Sequence, residues 1–118
     1  MRSAARRAIG ATLGAAFALV GAARDAGADD ADANELQLGK TLFTVGAIPP
    51  CASCHTLKDA GATGAVGPVL DELQPSADRV VTALKSGIGM MPSYQSSLSE
   101  QQMRALARYV AKASGGAH

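Results

Sequence analysis

Residues 51–55 read Cys51-Ala52-Ser53-Cys54-His55, and the rest of the chain is best read outward from them. The C-x-x-C-H pattern is that of covalent haem attachment. Two thiols three positions apart can each add to one vinyl group on neighbouring edges of a porphyrin, and the adjacent imidazole then falls beneath the iron. Two rival readings are weaker. A thioredoxin-type redox pair needs a βαβ surrounding that the chain lacks. A structural zinc site needs four ligands, and the whole Cys and His inventory is Cys51, Cys54, His55 and His118, the last beyond a Gly-Gly pair at the end of the chain. Two cysteines are also too few for a disulfide scaffold.

A haem would answer a question that the composition raises. The chain has 118 residues, enough for one small domain. It has no Trp, and its aromatic residues are Phe17, Phe43, Tyr94 and Tyr109. A core this poor in large side chains is marginal at such a length. A flat apolar macrocycle, buried in the middle and held by two thioether bonds, supplies the missing surface, so the haem-free chain is expected to be largely unfolded. Charged residues make up 18% and the net charge is +1, which excludes a nucleic-acid-binding tail and an acidic disordered linker.

Residues 1–28 read as a secretory signal peptide, removed on export. Arg2, Arg6 and Arg7 form a positive start, Ala8 to Ala23 is apolar and uncharged, and Ala26-Gly27-Ala28 fits the small-residue cleavage pattern. Cleavage after Ala22 or Ala23 is an alternative. Arg6-Arg7 is followed by Ala8-Ile9-Gly10, which departs from the twin-arginine pattern and favours general secretion. The apolar run is short and rich in Ala and Gly, so no stable membrane span is expected after removal; an uncleaved anchor is the lesser reading. A periplasmic location agrees with the haem reading, because c-type haem is attached outside the cytoplasm. Removal takes away Arg2, Arg6, Arg7, Arg24 and Asp25 and leaves a net charge near −2. Asp29, Asp30 and Asp32 are then expected to form a mobile acidic N-terminus over 29–34, ahead of one domain over 35–114.

The domain reads as helices around a loop-rich middle. Leu36, Leu38, Leu42, Phe43 and Val45 predict a helix over Asn34 to Val45, stopped by Gly46 and Pro49-Pro50. Gly61, Gly64, Gly67, Pro68 and Pro75 mark 56–75 as loop, with a short turn at Val69 to Leu73. Val80, Val81 and Leu84 predict a helix over Ser76 to Ser86, with Gly87 as its stop. In the last helix Ser99 and Gln102 form a capping box, and Met103, Leu106, Val110 and either Ala107 or Tyr109 give an apolar face. Nothing alternates at period two for long enough to be a strand. The fold class is all-α.

A second axial ligand separates an electron carrier from a haem with an open site. The candidates are Met90, Met91 and Met103. Met103 lies on the core face of the last helix, where gap-filling is the better reading. Met90 and Met91 follow Gly87-Ile88-Gly89 in a loop free to fold across the haem. Met91 is favoured, with Met90 as fallback, because Pro92 holds the residue before it extended.

Taken together these features resemble the class I monohaem cytochromes c over Asn34 to Ser114. That family's N-terminal helix carries a Gly and a Phe four residues apart, matched by Gly39 and Phe43, and its C-terminal helix a Leu and an aromatic three apart, matched by Leu106 and Tyr109. Its Gly-Pro-x-Leu segment is matched by Gly67-Pro68-Val69-Leu70, which implies that the Pro68 carbonyl accepts the His55 N–H. Its Met-Pro-x-Phe/Tyr segment is matched by Met91-Pro92-Ser93-Tyr94. The resemblance implies three to four helices packed around one covalently attached haem c, with Cys51 and Cys54 as thioethers, His55 as proximal and Met91 as distal iron ligand. Tyr94 either hydrogen-bonds a propionate or packs against the ring edge. The chain departs from the family at Gly46-Ala47-Ile48-Pro49-Pro50, which lengthens the run between Phe43 and Cys51. This insertion is either a tolerated loop or an apolar docking surface.

The wording of Gly39-Lys40-Thr41-Leu42-Phe43, Gly67 to Leu73 and the Met91-Pro92 loop is similar to that of the haem subunit of bacterial sulfite dehydrogenases. There a molybdenum-containing sulfite-oxidising subunit passes electrons singly to a small cytochrome, which hands them to a downstream cytochrome c or oxidase. The implied role is electron transport, with no catalytic residue in this chain. The alternatives are a free soluble shuttle for another respiratory chain, or a haem enzyme or gas sensor with an open sixth site. Against the last, the chain has no spare His near the motif and no acid–base cluster for peroxide chemistry. Lys58, Arg79 and Lys85 are open to pairing with haem propionates or to simple exposure, and Lys58 and Lys85 also to forming a docking ring.

Overall fold

The computed structural model describes residues 26–116 and, before them, positions 10, 11, 13–16, 18, 19 and 21. Most of the expected leader lies outside the described residues, as does His118. Four helices follow in chain order: α1 (Ala26–Thr41), α2 (Leu70–Leu73), α3 (Ala77–Ser86) and α4 (Glu100–Ser114). The all-helical expectation holds, with one small addition. Strands β1 (Thr56–Leu57) and β2 (Ala62–Thr63) pair antiparallel, Thr56 with Thr63 and Leu57 with Ala62. Two residues are too few to show an alternating pattern, so the sequence carries no signal for them.

The first helix differs from expectation at both ends. It begins at Ala26 rather than Asn34, so the acidic segment 29–34, expected to be mobile, is helical. Carboxylates suit the positive end of a helix dipole. Asp32 also meets Arg108 of α4 at 3.2 Å, and Glu35 meets the same guanidinium. At the other end α1 passes at Leu42 into a single wide π-helical turn that closes at Gly46. Both Leu42 and Phe43 are buried there.

The later boundaries follow the sequence closely. Ser76 caps α3 by accepting from the Arg79 N–H, and Gly87 closes it with φ 67°. In α4, Ser99 and Gln102 form the expected reciprocal capping box, and Gly115 ends the helix in the left-handed region. Its buried face takes in Met103, Leu106, Ala107, Tyr109 and Val110, so both alternatives, Ala107 and Tyr109, face inward.

The core is organised by the crossing of α1 over α4. Gly39 lies against the backbone carbonyl of Ala105, and a Cβ there would come within 2.5 Å of the Tyr109 Cβ. This close approach lets Phe43 and Tyr109 meet edge to face, with ring centroids 6.1 Å apart. The Tyr109 hydroxyl donates to Asp59 at 2.7 Å, and Lys40 of α1 approaches the same carboxylate at 3.3 Å. Helix, loop and helix thus share one polar knot at the edge of the crossing.

Gly39→Ala should cost about 1–3 kcal/mol of stability by forcing α1 away from α4, seen as a lower Tm of the haem-loaded protein. Burial and the Asp59 contact hold the Tyr109 phenol protonated well above its ordinary range. Its bond to the ionised Asp59 carboxylate therefore contributes fully between about pH 4 and about pH 10, and is lost as the phenol ionises above that range or the carboxylate is protonated below it. Tyr109→Phe should lower stability by about 1 kcal/mol at neutral pH and flatten the alkaline decline in urea-unfolding curves.

Candidate functional site

The C-x-x-C-H segment forms a tight turn. Pro50 leads in with extended backbone, Cys51–Ser53 make one 3₁₀ turn, and the N–H groups of Cys54 and His55 both return to the Cys51 carbonyl at 3.1 and 2.9 Å. The turn places Cys51, Cys54 and His55 together in the lining of a cavity of about 470 Å³. Neither cysteine is in a disulfide. Burial is the main cause that pushes the Cys51 thiol up to about 11, so it is a neutral thiol at physiological pH.

His55 is fixed from two sides. Its Nδ1 lies 2.9 Å from the Pro68 carbonyl. A carbonyl can only accept, so Nδ1 carries the proton and Nε2 is left with a free lone pair. Gly67 lies flat against the ring, where a Cβ would come within 2.5 Å of Cε1 and 2.8 Å of Nδ1. The Val66 and Gly67 N–H groups both donate to the Cys54 carbonyl, at 3.1 and 2.7 Å, which draws this segment under the imidazole. These bonds hold the Pro68 carbonyl beside the imidazole.

The rest of the cavity lining is mostly apolar. Phe43, Leu70, Leu84, Leu106 and Val110 come from four different elements, with Pro49, Pro50 and Val80 beside them. Met91 borders the cavity and is half-buried, whereas Met90, also at its margin, is 88% exposed. The Met91 backbone is pinned by reciprocal bonds with Ile88 at 2.9 and 3.1 Å, across a turn in which Gly89 supplies φ 56°. Met103 does not border the cavity and is fully buried in the core, in the gap-filling role expected of it.

Tyr94 is 4% exposed and its ring borders the cavity. Its hydroxyl donates to the Pro49 carbonyl at 2.7 Å, so of the two roles considered for it the structure favours packing over propionate binding. Burial pushes this phenol up to about 12, which keeps it a donor. The bond joins positions 45 residues apart, and no local pattern in the sequence could have announced it. Of the three cations considered for propionates, Arg79 borders the cavity. Lys85 pairs with Glu100 at 3.0 Å instead, and Lys58 lies outside the cavity lining.

These residues fit a haem: two free thiols, an imidazole with an open nitrogen, a large apolar slot and one cation at its border. Among the described residues no three His, Cys, Asp or Glu gather as they would around a bare metal ion, and no helix is long and apolar enough to cross a membrane.

A small helical domain with such a slot defines a c-type cytochrome. The chain belongs to the cytochrome c family whose model is described as cytochrome c oxidase, cbb3-type, subunit III, matched over residues 34–110. Among solved structures it is similar to the c-type cytochrome SorU from Sinorhizobium meliloti, with 47% sequence identity and a TM-score of 0.68, covering 72% of this chain and 97% of that one. No curated protein matches it. Membership carries with it covalently bound haem c, to which Cys51 and Cys54 are suited, and a role in electron transport.

Gly67→Ala should drive the new methyl into the His55 ring. The expected result is a lower haem content per chain by pyridine haemochrome assay and a raised high-spin fraction in the ferric spectrum.

Proposed function

We propose that the chain is the electron-transfer subunit of a periplasmic sulfite dehydrogenase, loaded with one haem c. Haem iron supplies a one-electron ferric/ferrous couple. Cys51 and Cys54 would hold the haem as thioethers, and His55 through Nε2 and Met91 through its sulfur would ligate the iron. A soft thioether favours the ferrous state and raises the potential. Pro68 orients the imidazole and Tyr94 packs beside the slot. The observation that carries this reading is the oriented His55 imidazole, lining one largely apolar slot together with two free cysteines.

The donor is a molybdenum-containing sulfite-oxidising subunit, and the acceptor is a downstream cytochrome c or oxidase. The motif similarities around Gly39, Gly67 and Met91 support this choice, as does the 47% identity to SorU. The surface agrees with a docked subunit. Ile48 of the insertion is 84% exposed, and Val66, Ile88 and Met90 are exposed at the cavity border. An apolar rim of this kind suits a lasting contact better than electrostatic steering. An open-site enzyme or sensor is disfavoured because, among the described residues, the cavity lining includes neither a second His nor an acid–base pair. In this reading residues 1–28 are the cleaved export signal. Cleavage after Ala28 would leave Asp29 at the start of α1, and residues 35–114 form the cytochrome domain.

Purification of the haem absorbance from a native periplasmic extract, followed by addition of sulfite, tests the assignment. Immediate reduction with molybdenum in the same fraction is expected. A monomer-sized fraction that reacts with sulfite only after a separately purified molybdenum protein is added would make the chain a free shuttle. Met91→Ala should convert the ferric haem to high spin and allow the ferrous form to bind carbon monoxide, whereas Met90→Ala should do neither. A Cys51→Ala, Cys54→Ala chain, unable to hold haem, should lack native far-UV dichroism.

A further inference from the structure

The bond between His55 and Pro68 has a twin. The His55 Nδ1–H donates to the Pro68 carbonyl at 2.9 Å, and the backbone N–H of Lys58 donates to Asp71 Oδ2, also at 2.9 Å. Both bonds join residues 13 apart. The second lies three positions beyond the first on both sides, so they are successive rungs between segment 55–58 and segment 68–71. Leu57 and Leu70, one on each segment, are buried beside the rungs. The stretch bearing Pro68 has no helix or strand of its own, and α2 begins at Leu70 without a side-chain cap. Asp71, in the first turn of α2, reaches across to Lys58 instead.

We propose that Asp71 is a positioning residue for the haem ligand: its bond to the Lys58 amide holds the Pro68 carbonyl within hydrogen-bond reach of His55, and so sets how strongly the imidazole donates to iron. This rests on His55 being the proximal ligand, as proposed above. A strong acceptor on Nδ1–H makes the imidazole more basic and stabilises the ferric state. Release of Pro68 weakens that donation and raises the midpoint potential. Glu72 on the same turn is exposed and makes no such bond, so it provides a matched control.

The test uses the haem-loaded, reduced protein and proton NMR. In the unmutated protein the His55 Nδ1–H and the Lys58 N–H should exchange with solvent through one common opening, with the same dependence on denaturant. Asp71→Ala should speed exchange of the His55 proton about tenfold, the size of one ordinary hydrogen bond, and shift the midpoint potential positive. Asp71→Asn, which keeps an acceptor oxygen, should restore both, and Glu72→Ala should change neither. A lower Tm for Asp71→Ala with unmoved potential and proton exchange overturns the proposal. So does independent exchange of the two protons in the unmutated protein, a comparison that stands even where Asp71→Ala fails to take up haem. Absence of any haem-shielded His55 ring signal would instead overturn the ligand assignment, and the proposal with it.

Discussion

Everything in this domain is arranged around the point where α1 and α4 touch without side chains between them. Gly39 against the Ala105 carbonyl brings the two backbones together, and Phe43 and Tyr109 fill the space to one side. Leu106 and Val110 of α4 then present a floor beneath the slot, and Phe43 contributes from the turn after α1. If the helices stood a methyl further apart, the floor would drop away from the wall that carries Cys51, Cys54 and His55. The close approach at Gly39 thus helps to set the spacing of the walls that Phe43, Leu106 and Val110 give the slot.

The parts of this design that were legible in the sequence are those carried by local chemistry. Ser99 with Gln102, Ser76 and Gly87 set the ends of α3 and α4, because capping depends on residues three or four apart. The C-x-x-C-H turn was readable for a similar reason, being short and self-contained, whereas the Gly67-Pro68 segment, which reaches 13 residues back to His55, was readable only through resemblance. Phe43, Leu106 and Tyr109 were readable as apolar helix positions, but Gly39 and the pairing of the two helices were readable only through resemblance, since nothing local tells a Gly at a helix crossing from one that merely tolerates its place.

What escaped the sequence depends on partners far away along the chain. The acidic stretch from Asp29 looked like a solvated lead because Arg108, which holds Asp32 and Glu35, lies on the last helix. Asp59 and Asp71 carry no local signal of their roles, because one is engaged by a phenol 50 residues on and the other by a backbone amide. Backbone donors leave no trace in composition. The same holds for the β1–β2 pair, which is too brief to pattern, and for Tyr94, whose acceptor is a carbonyl common to every residue type.

That last contact has a bearing on how this surface can change over evolutionary time. Tyr94 grips the main chain of the insertion at Pro49, not a side chain, and Ala47 is tucked wholly inside while Ile48 stands almost fully in solvent. The inserted stretch is therefore tied down by its course and length rather than by its outward-facing residues. Ile48 can drift, and the exterior can be re-cut for a different interlocutor, while the chamber behind it keeps its shape.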